Sequence, residues 1–285
     1  MFGLLVAYKK FCFQANVSIW YNGTAMSKYL SLNLQKKFSV EHRDASVEHL
    51  EGQRHFLPNV SVDCVIFGFH DGQLKVLLIQ FKNTDLWALP GGYIRMEEDM
   101  DEAAARILEE RMMVQGVYLE QFHAFGQRQR VDRTIQQKIV EALGLTLAPD
   151  HWITHRFVTV GYFALVDFTE VMPMPDASTD VCEWFALDEM PELVFDHSHI
   201  VQKALAALRQ RLGNNLIGYN LLPETFTMQE LQRLYETILD RKFQRANFQR
   251  KILSLGILER VEKKFSGGAH KAPYLYRFDL EKNGF

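Results

Sequence analysis

Residues 87–114 read WALPGGYIRMEEDMDEAAARILEERMMV, and this stretch decides the fold. Trp87-Ala88-Leu89 forms a short strand that ends on Pro90-Gly91-Gly92. Asp101 to Val114 is rich in Ala, Glu and Leu and free of Pro and Gly, as a helix requires. On the N-terminal side, Val60 to Phe69 is dense in Val, Ile and Phe, Asp71-Gly72 is a two-residue turn, and Lys75 to Ile79 resumes the apolar run, which together predict a hairpin. On the C-terminal side, Phe157 to Val166 and Val181 to Ala186 read as strands. His199 to Leu212 reads as a helix with Ile200, Ala204, Leu208 and Leu212 on one stripe. The order is mixed α+β.

The chain has 285 residues, 47% of them hydrophobic and 24% charged, which excludes disorder along the whole length and leaves room for about two domains. With 32 Lys+Arg against 35 Asp+Glu the net charge is -3, too near neutral for a protein that coats nucleic acid or membrane with its whole surface. Cys12, Cys64 and Cys182 are three in number and lack metal-ligand spacing, so the sequence supports neither a disulfide framework nor a zinc site; a reducing cytoplasm is expected. No apolar run is long enough to span a bilayer, so no membrane partner is expected. Phe2 to Tyr8 is apolar but short, precedes Lys9-Lys10 and lacks a cleavage pattern, which argues against a signal peptide. Met26 offers a second start, and residues 1–25 are expected to be an upstream artefact or a loose extension. The expected organisation is an extension over 1–50, a large domain over 51–212, a linker over 213–222 where Gly213, Asn214, Asn215, Gly218 and Asn220 cluster, and a small domain over 223–285.

From Gly92 onward the residues resemble the Nudix box: glycine, five residues, glutamate, seven residues, then Arg-Glu-aliphatic-any-Glu-Glu-any-Gly-aliphatic. Gly92, Glu98, Arg106, Leu108, Glu110 and Val114 agree, while Ile107, Arg111 and Met113 stand where the family has Glu, Glu and Gly. The resemblance implies a mixed-sheet α/β/α sandwich. In a Nudix hydrolase the carboxylates at these places hold divalent metal on a diphosphate. Positions 107, 110 and 111 share one helical face. Here that face carries Ile107, Glu110 and Arg111, whose charges sum to zero. A hard cation needs oxygen ligands. An arginine repels it, at roughly 4 kcal/mol for unit charges 4 Å apart at an effective dielectric near 20. The expectation is a Nudix fold without hydrolysis and without a cofactor or metal. Glu97, Glu98, Glu102 and Glu109 are expected in a loop and on a solvated helix face, with Arg106 and Glu110 forming a four-apart ion pair; the rival arrangement is a displaced metal site of Glu98, Glu109 and Glu110.

Gln127 to His155 carries a short helix, Ile135 to Leu143 ended by Gly144, inside what would otherwise be a direct strand-to-strand connection. Arg128, Arg130 and Arg133 precede it, and His151, His155 and Arg156 follow it. Arginine forks suit phosphate and carboxylate oxygens. Arg128, Arg130, Arg133, His155 and Arg156 are therefore the candidate ligand-binding set, against the plainer reading of a solvated charged loop.

Residues 223–285 hold 12 Lys+Arg and 8 Asp+Glu, so the C-terminal part is the basic one. Thr227 and Glu230 make a capping box for a helix over Met228 to Leu239, with Leu231, Leu234, Tyr235 and Ile238 on one face. A second helix runs from about Gln244 to Leu255, with Phe248, Ile252 and Leu255 inward and Gly256 as its stop. Ile257 to Glu262 and Tyr274 to Leu280 read as strands around a basic turn over Lys263 to Ala272, the grammar of a winged helix. Arg, Asn and Gln suit base edges in the major groove, and Arg and Lys suit phosphates. The candidate DNA-binding residues are Thr227, Arg241, Lys242, Arg245, Asn247, Gln249, Arg250, Lys251, Lys263, Lys264 and Lys271; the plainer reading is a packing domain with a basic face.

Leu221-Leu222-Pro223-Glu224-Thr225-Phe226-Thr227, Leu231-Gln232-Arg233-Leu234-Tyr235-Glu236, Asn247-Phe248-Gln249-Arg250-Lys251-Ile252-Leu253 and Leu275-Tyr276-Arg277-Phe278, together with Phe195-Asp196-His197, resemble the Nudix-related, NrtR-like transcriptional regulators. The resemblance covers about residues 56–280. It implies a bacterial homodimer that binds operator double-stranded DNA and senses a small-molecule effector, ADP-ribose in some relatives and a pentose in others. The ADP-ribose sensors carry an Arg-Asp-Pro-Arg-like loop after the position of Phe125-Gly126, whereas here Arg130-Val131-Asp132-Arg133 is followed by the insertion. The helix His199 to Leu212 is expected to transmit the effector's signal. The alternatives are an active Nudix hydrolase of nucleoside-diphosphate derivatives with an accessory winged helix, and a protein-binding adaptor.

Overall fold

The computed structural model describes residues 55–112, 117–148, 151–214, 220–263 and 272–279, all within one compact unit, Ala45–Phe285. The expectations for residues 1–50, Met113, Val114, Lys264 and Lys271 lie outside the described residues.

The hairpin forms as read. β1 (Phe56–His70) and β2 (Gln73–Phe81) pair antiparallel across Asp71 and Gly72, whose φ values of 51° and 78° are the positive pair that a tight hairpin turn needs. The glycine loop differs from the reading. β3 (Trp87–Ala88) ends before Pro90, and Gly91-Gly92 opens a further strand, β4 (Gly91–Arg95), antiparallel to β1. A Cβ at Gly91 would overlap the Asp63 carboxylate and lie 2.8 Å from the Val62 carbonyl, so only glycine permits this approach.

α1 (Met100–Met112) follows, then β5 (Tyr118–Phe125), α2 (Arg133–Ala142), β6 (Val158–Val166), β7 (Thr179–Ala186) and α3 (His197–Asn214). The sheet runs β3-β2-β1-β6-β5, with β4 on β1 and β7 on β2. β1 and β6 pair in parallel, which makes the sheet mixed. Alternation along β1 and β6 splits the core. Val62, Cys64, Ile66, Val160, Tyr162 and Ala164 pack with α1 through Ala103, Ala104, Ile107 and Leu108. Val65, Phe67, Phe163 and Leu165 pack with α3 through Ile200, Ala204, Leu208 and Leu212, the predicted stripe. The sheet thus lies between the two helices.

Beyond α3 come β8 (Phe226–Thr227), α4 (Met228–Leu239), α5 (Arg245–Ser254), β9 (Leu258–Lys263) and β10 (Tyr274–Phe278), with the small sheet ordered β8-β10-β9. This is the expected helix pair and wing. Leu255, read as inward, is 47% exposed, because the helix ends at Ser254 and Gly256 turns the chain at φ 68°. The segment read as a linker is partly structure: α3 continues to Asn214, and Leu221 and Leu222 are buried in the same apolar cluster as Phe226, Leu231 and Tyr276. That cluster also contains Val65 and Phe163, so the α3 side of the large sheet and the winged helix share one core.

Candidate functional site

On the α1 side, both substituted box positions are built into the structure. Ile107 is 2% exposed among Val62, Ile94, Ala104 and Leu108, and a Cβ on Gly92 would sit 3.2 Å from its Cδ1. Burying such a side chain stabilises by about 2 kcal/mol. Arg111 is 6% exposed; its guanidinium meets Asp176 at 2.8 Å and donates to the Thr179 hydroxyl at 3.1 Å. Burial pushes the Asp176 carboxyl up, and the Arg111 charge with the Ser178 and Thr179 hydroxyls outweighs it, so the group stays ionised below its ordinary range.

Glu98 is not solvated as read. Its side chain is 12% exposed and grips Arg106 through two bonds, 2.9 Å to Nε and 2.6 Å to an Nη, while Glu110 receives Arg106 at only 3.5 Å. Burial raises the Glu98 carboxyl, but the Arg106 bonds and the Arg95 N–H lower it more, leaving it depressed. A fork donating to the Tyr93 carbonyl at 2.9 Å completes Arg106. Glu98 is therefore spent on holding the loop against the helix. No group of three His, Cys, Asp or Glu among the described residues is disposed to hold a metal ion.

The α3 side of the same sheet carries a buried ionic cluster. Arg130, its side chain 5% exposed, forks onto Asp196 at 3.0 and 2.9 Å and reaches Asp63 at 3.4 Å. His197 Nδ1 accepts the Leu89 N–H at 3.0 Å, so a neutral ring carries its proton on Nε2, which lies 3.9 Å from Asp63. Burial lowers the His197 pKa; the nearby Asp63 and Asp196 charges oppose this and do not overcome it. Two carboxylates, one guanidinium and a neutral imidazole thus join β1, the loop before Gly91, the insertion and the start of α3. Arg130 was expected to face a ligand, and its Nε and one terminal nitrogen are instead committed to Asp196 and Asp63 inside the protein. Asp63 escaped the sequence reading, although a lone acid in the apolar run Val60 to Phe69 is a signal for it.

The other candidate ligand residues do not meet one another. Arg128, Arg133 and His155 are exposed, and none bonds another of the set among the described residues. Arg156 donates to the Gly126 carbonyl, and its own carbonyl accepts from Asn59 at 2.8 Å, which fixes the entries to β1 and β6. The helix read over Ile135 to Leu143 forms as α2, capped by Asp132, yet none of its residues is buried.

In the basic domain, Thr227 is 7% exposed and occupied by the capping box: its hydroxyl accepts the Glu230 N–H at 3.2 Å, and its N–H donates to Glu230 at 2.6 Å. It is engaged in capping α4 rather than standing exposed with the other candidates. Arg241, Lys242, Arg245, Asn247, Arg250, Lys251 and Lys263 are exposed and Gln249 is half-buried. Phe248 and Ile252 anchor α5 beneath them. Arg250 donates to Asn247 at 2.7 Å, and Arg241 lies over the Phe243 ring at 4.7 Å. α5 therefore presents a basic and amide-rich outer face over an apolar inner one.

A family model for the NUDIX domain matches residues 57–204, and one for the NrtR DNA-binding winged helix domain matches residues 218–278. The ADPR responsive transcriptional repressor NtrR of Acinetobacter baylyi is 31% identical over 261 residues, covering 89% of this chain and 94% of that protein. The chain belongs to the NrtR family of Nudix-related regulators. Among solved members, Shewanella oneidensis NrtR complexed with a 27mer DNA aligns with a TM-score of 0.60 and 28% identity, over 79% of this chain and 96% of that one. The chain is also 27% identical over 183 residues to the ADP-ribose pyrophosphatase of Methanocaldococcus jannaschii, covering 61% of this chain and 89% of the enzyme. Membership joins the two halves of the geometry: a Nudix domain and a winged helix packed on one core.

Proposed function

We propose that the protein is an ADP-ribose-responsive transcriptional repressor that binds operator DNA through α5 and the wing and does not hydrolyse its effector. The observation that carries the reading is the exposed row of Arg245, Asn247, Arg250 and Lys251 on a helix anchored to the effector domain's own core. Ile107 in the core and Arg111 paired with Asp176 support the loss of hydrolysis. No described helix is long and apolar enough to cross a membrane, and the protein acts in the cytoplasm, where its operator lies.

The route for the signal is α3. Its first turn holds Asp196-His197 in the ionic cluster, and about 18 Å along the same rod, at 1.5 Å per residue, Arg209 donates to the Ile238 carbonyl at 2.7 Å, in the last turn of α4. The β1–β2 turn makes a second tie, through Thr237 donating to the Gly72 carbonyl at 3.0 Å. An effector that favours one setting of α3 shifts DNA affinity by its differential affinity for the two settings and no more. A homodimer fits this function, since one winged helix covers one half-site and two-fold symmetry supplies the second.

The test is a mobility shift with the DNA upstream of the protein's own gene. Sequence-selective, salt-sensitive binding that ADP-ribose releases is expected. Retention of full affinity by Arg245→Ala with Arg250→Ala contradicts the assignment of α5 and favours an adaptor. The identity to an ADP-ribose pyrophosphatase favours the hydrolase alternative, in which Glu110→Gln abolishes magnesium-dependent turnover.

A further inference from the structure

A carboxylate borders the basic face of the winged helix. From Arg241 to Lys251 the chain carries five bases and no acid, yet the last turn of α4, just before this run, holds Glu236. A negative charge beside a phosphate-binding surface opposes DNA. What Glu236 does there is visible in its bonds. Its carbonyl accepts the N–H of Asp240, whose φ of 50° ends the helix, and that of Arg241 at 3.2 Å. Its side chain, 14% exposed, accepts the Phe243 N–H at 2.8 Å and the Gln232 amide at 2.9 Å on one oxygen, and meets Lys242 Nζ at 3.4 Å with the other. Gln232 donates also to the Phe243 carbonyl at 3.0 Å. Two side chains of α4 thus grip both backbone groups of Phe243. The bonds from Gln232 and the Phe243 N–H hold the Glu236 carboxyl below the usual carboxylate range.

The start of α5 depends on this grip. Gln244, at its N-cap, makes no side-chain capping bond, although a cap is what ordinarily fixes where a helix begins. The residue that is held is the one before it, and the Phe243 ring lies 5.5 Å from that of Phe248, which anchors α5 from beneath. The other end of the clamp is fixed to the large domain. Thr237 and Ile238, the two residues after Glu236, are those bonded to the Gly72 carbonyl and to Arg209. Three consecutive residues of α4 therefore meet the approach to α5, the β1–β2 turn and α3. Lys242 is 91% exposed, and a solvated pair of that kind contributes little, so the Phe243 bond is the one that positions the helix.

We propose that Glu236 is a positioning residue for operator recognition: through the Phe243 backbone it sets where α5 starts and how it meets the groove, without itself contacting DNA. The proposal rests on the reading of α5 as the DNA-binding helix. Base edges are read by hydrogen bonds that need accurate placement, whereas attraction to phosphates carries no sequence information and tolerates a displaced helix. Removing Glu236 therefore acts on sequence-selective binding and spares the non-selective part.

The experiment compares the affinity of the full chain for the DNA upstream of its own gene with that for a scrambled duplex of the same length. It uses wild type, Glu236→Ala, Glu236→Gln and Gln232→Ala, with a heat melt of each to report folding. Glu236→Ala is expected to bind the upstream DNA about tenfold more weakly, the size of one lost charge-assisted hydrogen bond. It is expected to bind the scrambled duplex as well as wild type or better, because an acid has been removed. Glu236→Gln keeps an acceptor for the Phe243 N–H and is expected to recover most of the loss. An acid that acts only through its charge gives the opposite sign, so an unchanged or tighter upstream complex in Glu236→Ala overturns the proposal. Equal weakening on both duplexes overturns it too, and so does a Glu236→Gln as weak as Glu236→Ala, which assigns the effect to the charge. If Glu236→Ala does not fold, an unchanged ratio of the two affinities in Gln232→Ala overturns it instead. A wild type that shows no preference for its upstream DNA refutes the reading of α5 before any variant is compared.

Discussion

The two faces of one sheet have had opposite fates. On the α1 face, where Nudix hydrolases hold metal, Ile107 has joined the core and Arg111 is tied to Asp176, so the substituted positions now stabilise the fold. On the α3 face, charge has been kept inside: Arg130, Asp63, Asp196 and His197 form a buried polar cluster, and the surrounding apolar core continues into the winged helix. We propose that the difference marks where regulation resides. On this reading the α1 face contributes packing, and the buried charge beside the shared core is what a ligand and DNA would both bias.

The largest effect is expected from Arg130→Ala. It leaves two carboxylates buried without their cation, a loss of about 3–5 kcal/mol, measured by urea unfolding. Arg111→Ala breaks the corresponding pair on the other face, but the Asp176 side chain is 41% exposed and can turn to water, so a smaller loss of about 1–3 kcal/mol is expected. Equal losses at the two positions break the contrast between the faces. Ile107→Glu is expected to cost about 3 kcal/mol, from lost apolar burial and a desolvated carboxyl; a protein stabilised by magnesium after that change means that the metal face survives.

Acid sensitivity separates the faces further. Folding lowers the His197 pKa from its ordinary value of 6.5, so below that value the unfolded chain takes up the proton first and stability falls as pH falls. Glu98 and Asp176 are also depressed, but their contribution is present above the ordinary carboxylate values of 4.5 and 3.8 and is lost only as pH falls through the lower folded values. Stability of wild type is therefore expected to decline first just below pH 6.5, with His197→Gln removing that early part and leaving the later one. The smallest expected effect on stability is that of Arg209→Ala, about 1 kcal/mol for one hydrogen bond. Its effect on coupling is the informative one: DNA is still bound, and ADP-ribose releases it less.

The fold was legible because its signals are local. The Asp71-Gly72 turn, the α3 stripe and the Thr227–Glu230 capping box each lie within a few residues, and each forms as read. The family resemblance was legible for the same reason, since the box and the winged helix are contiguous motifs. The site was not. Arg130 meets Asp196 across 66 residues of chain, and Arg111 meets Thr179 across 68, so no spacing rule relates the partners. Exposure misled as well: Thr227 and Arg130 carry the right chemistry for DNA and for an anion, and both are buried in other work.

We propose that Ile107 and Arg111 close the α1 face to metal while the opposite face senses the effector. It is tested most directly by incubating the purified chain with magnesium and ADP-ribose and following release of AMP and ribose 5-phosphate. ADP-ribose is expected to remain intact at concentrations that release the protein from its DNA. Turnover at an enzyme-like rate, abolished by Glu110→Gln, contradicts it.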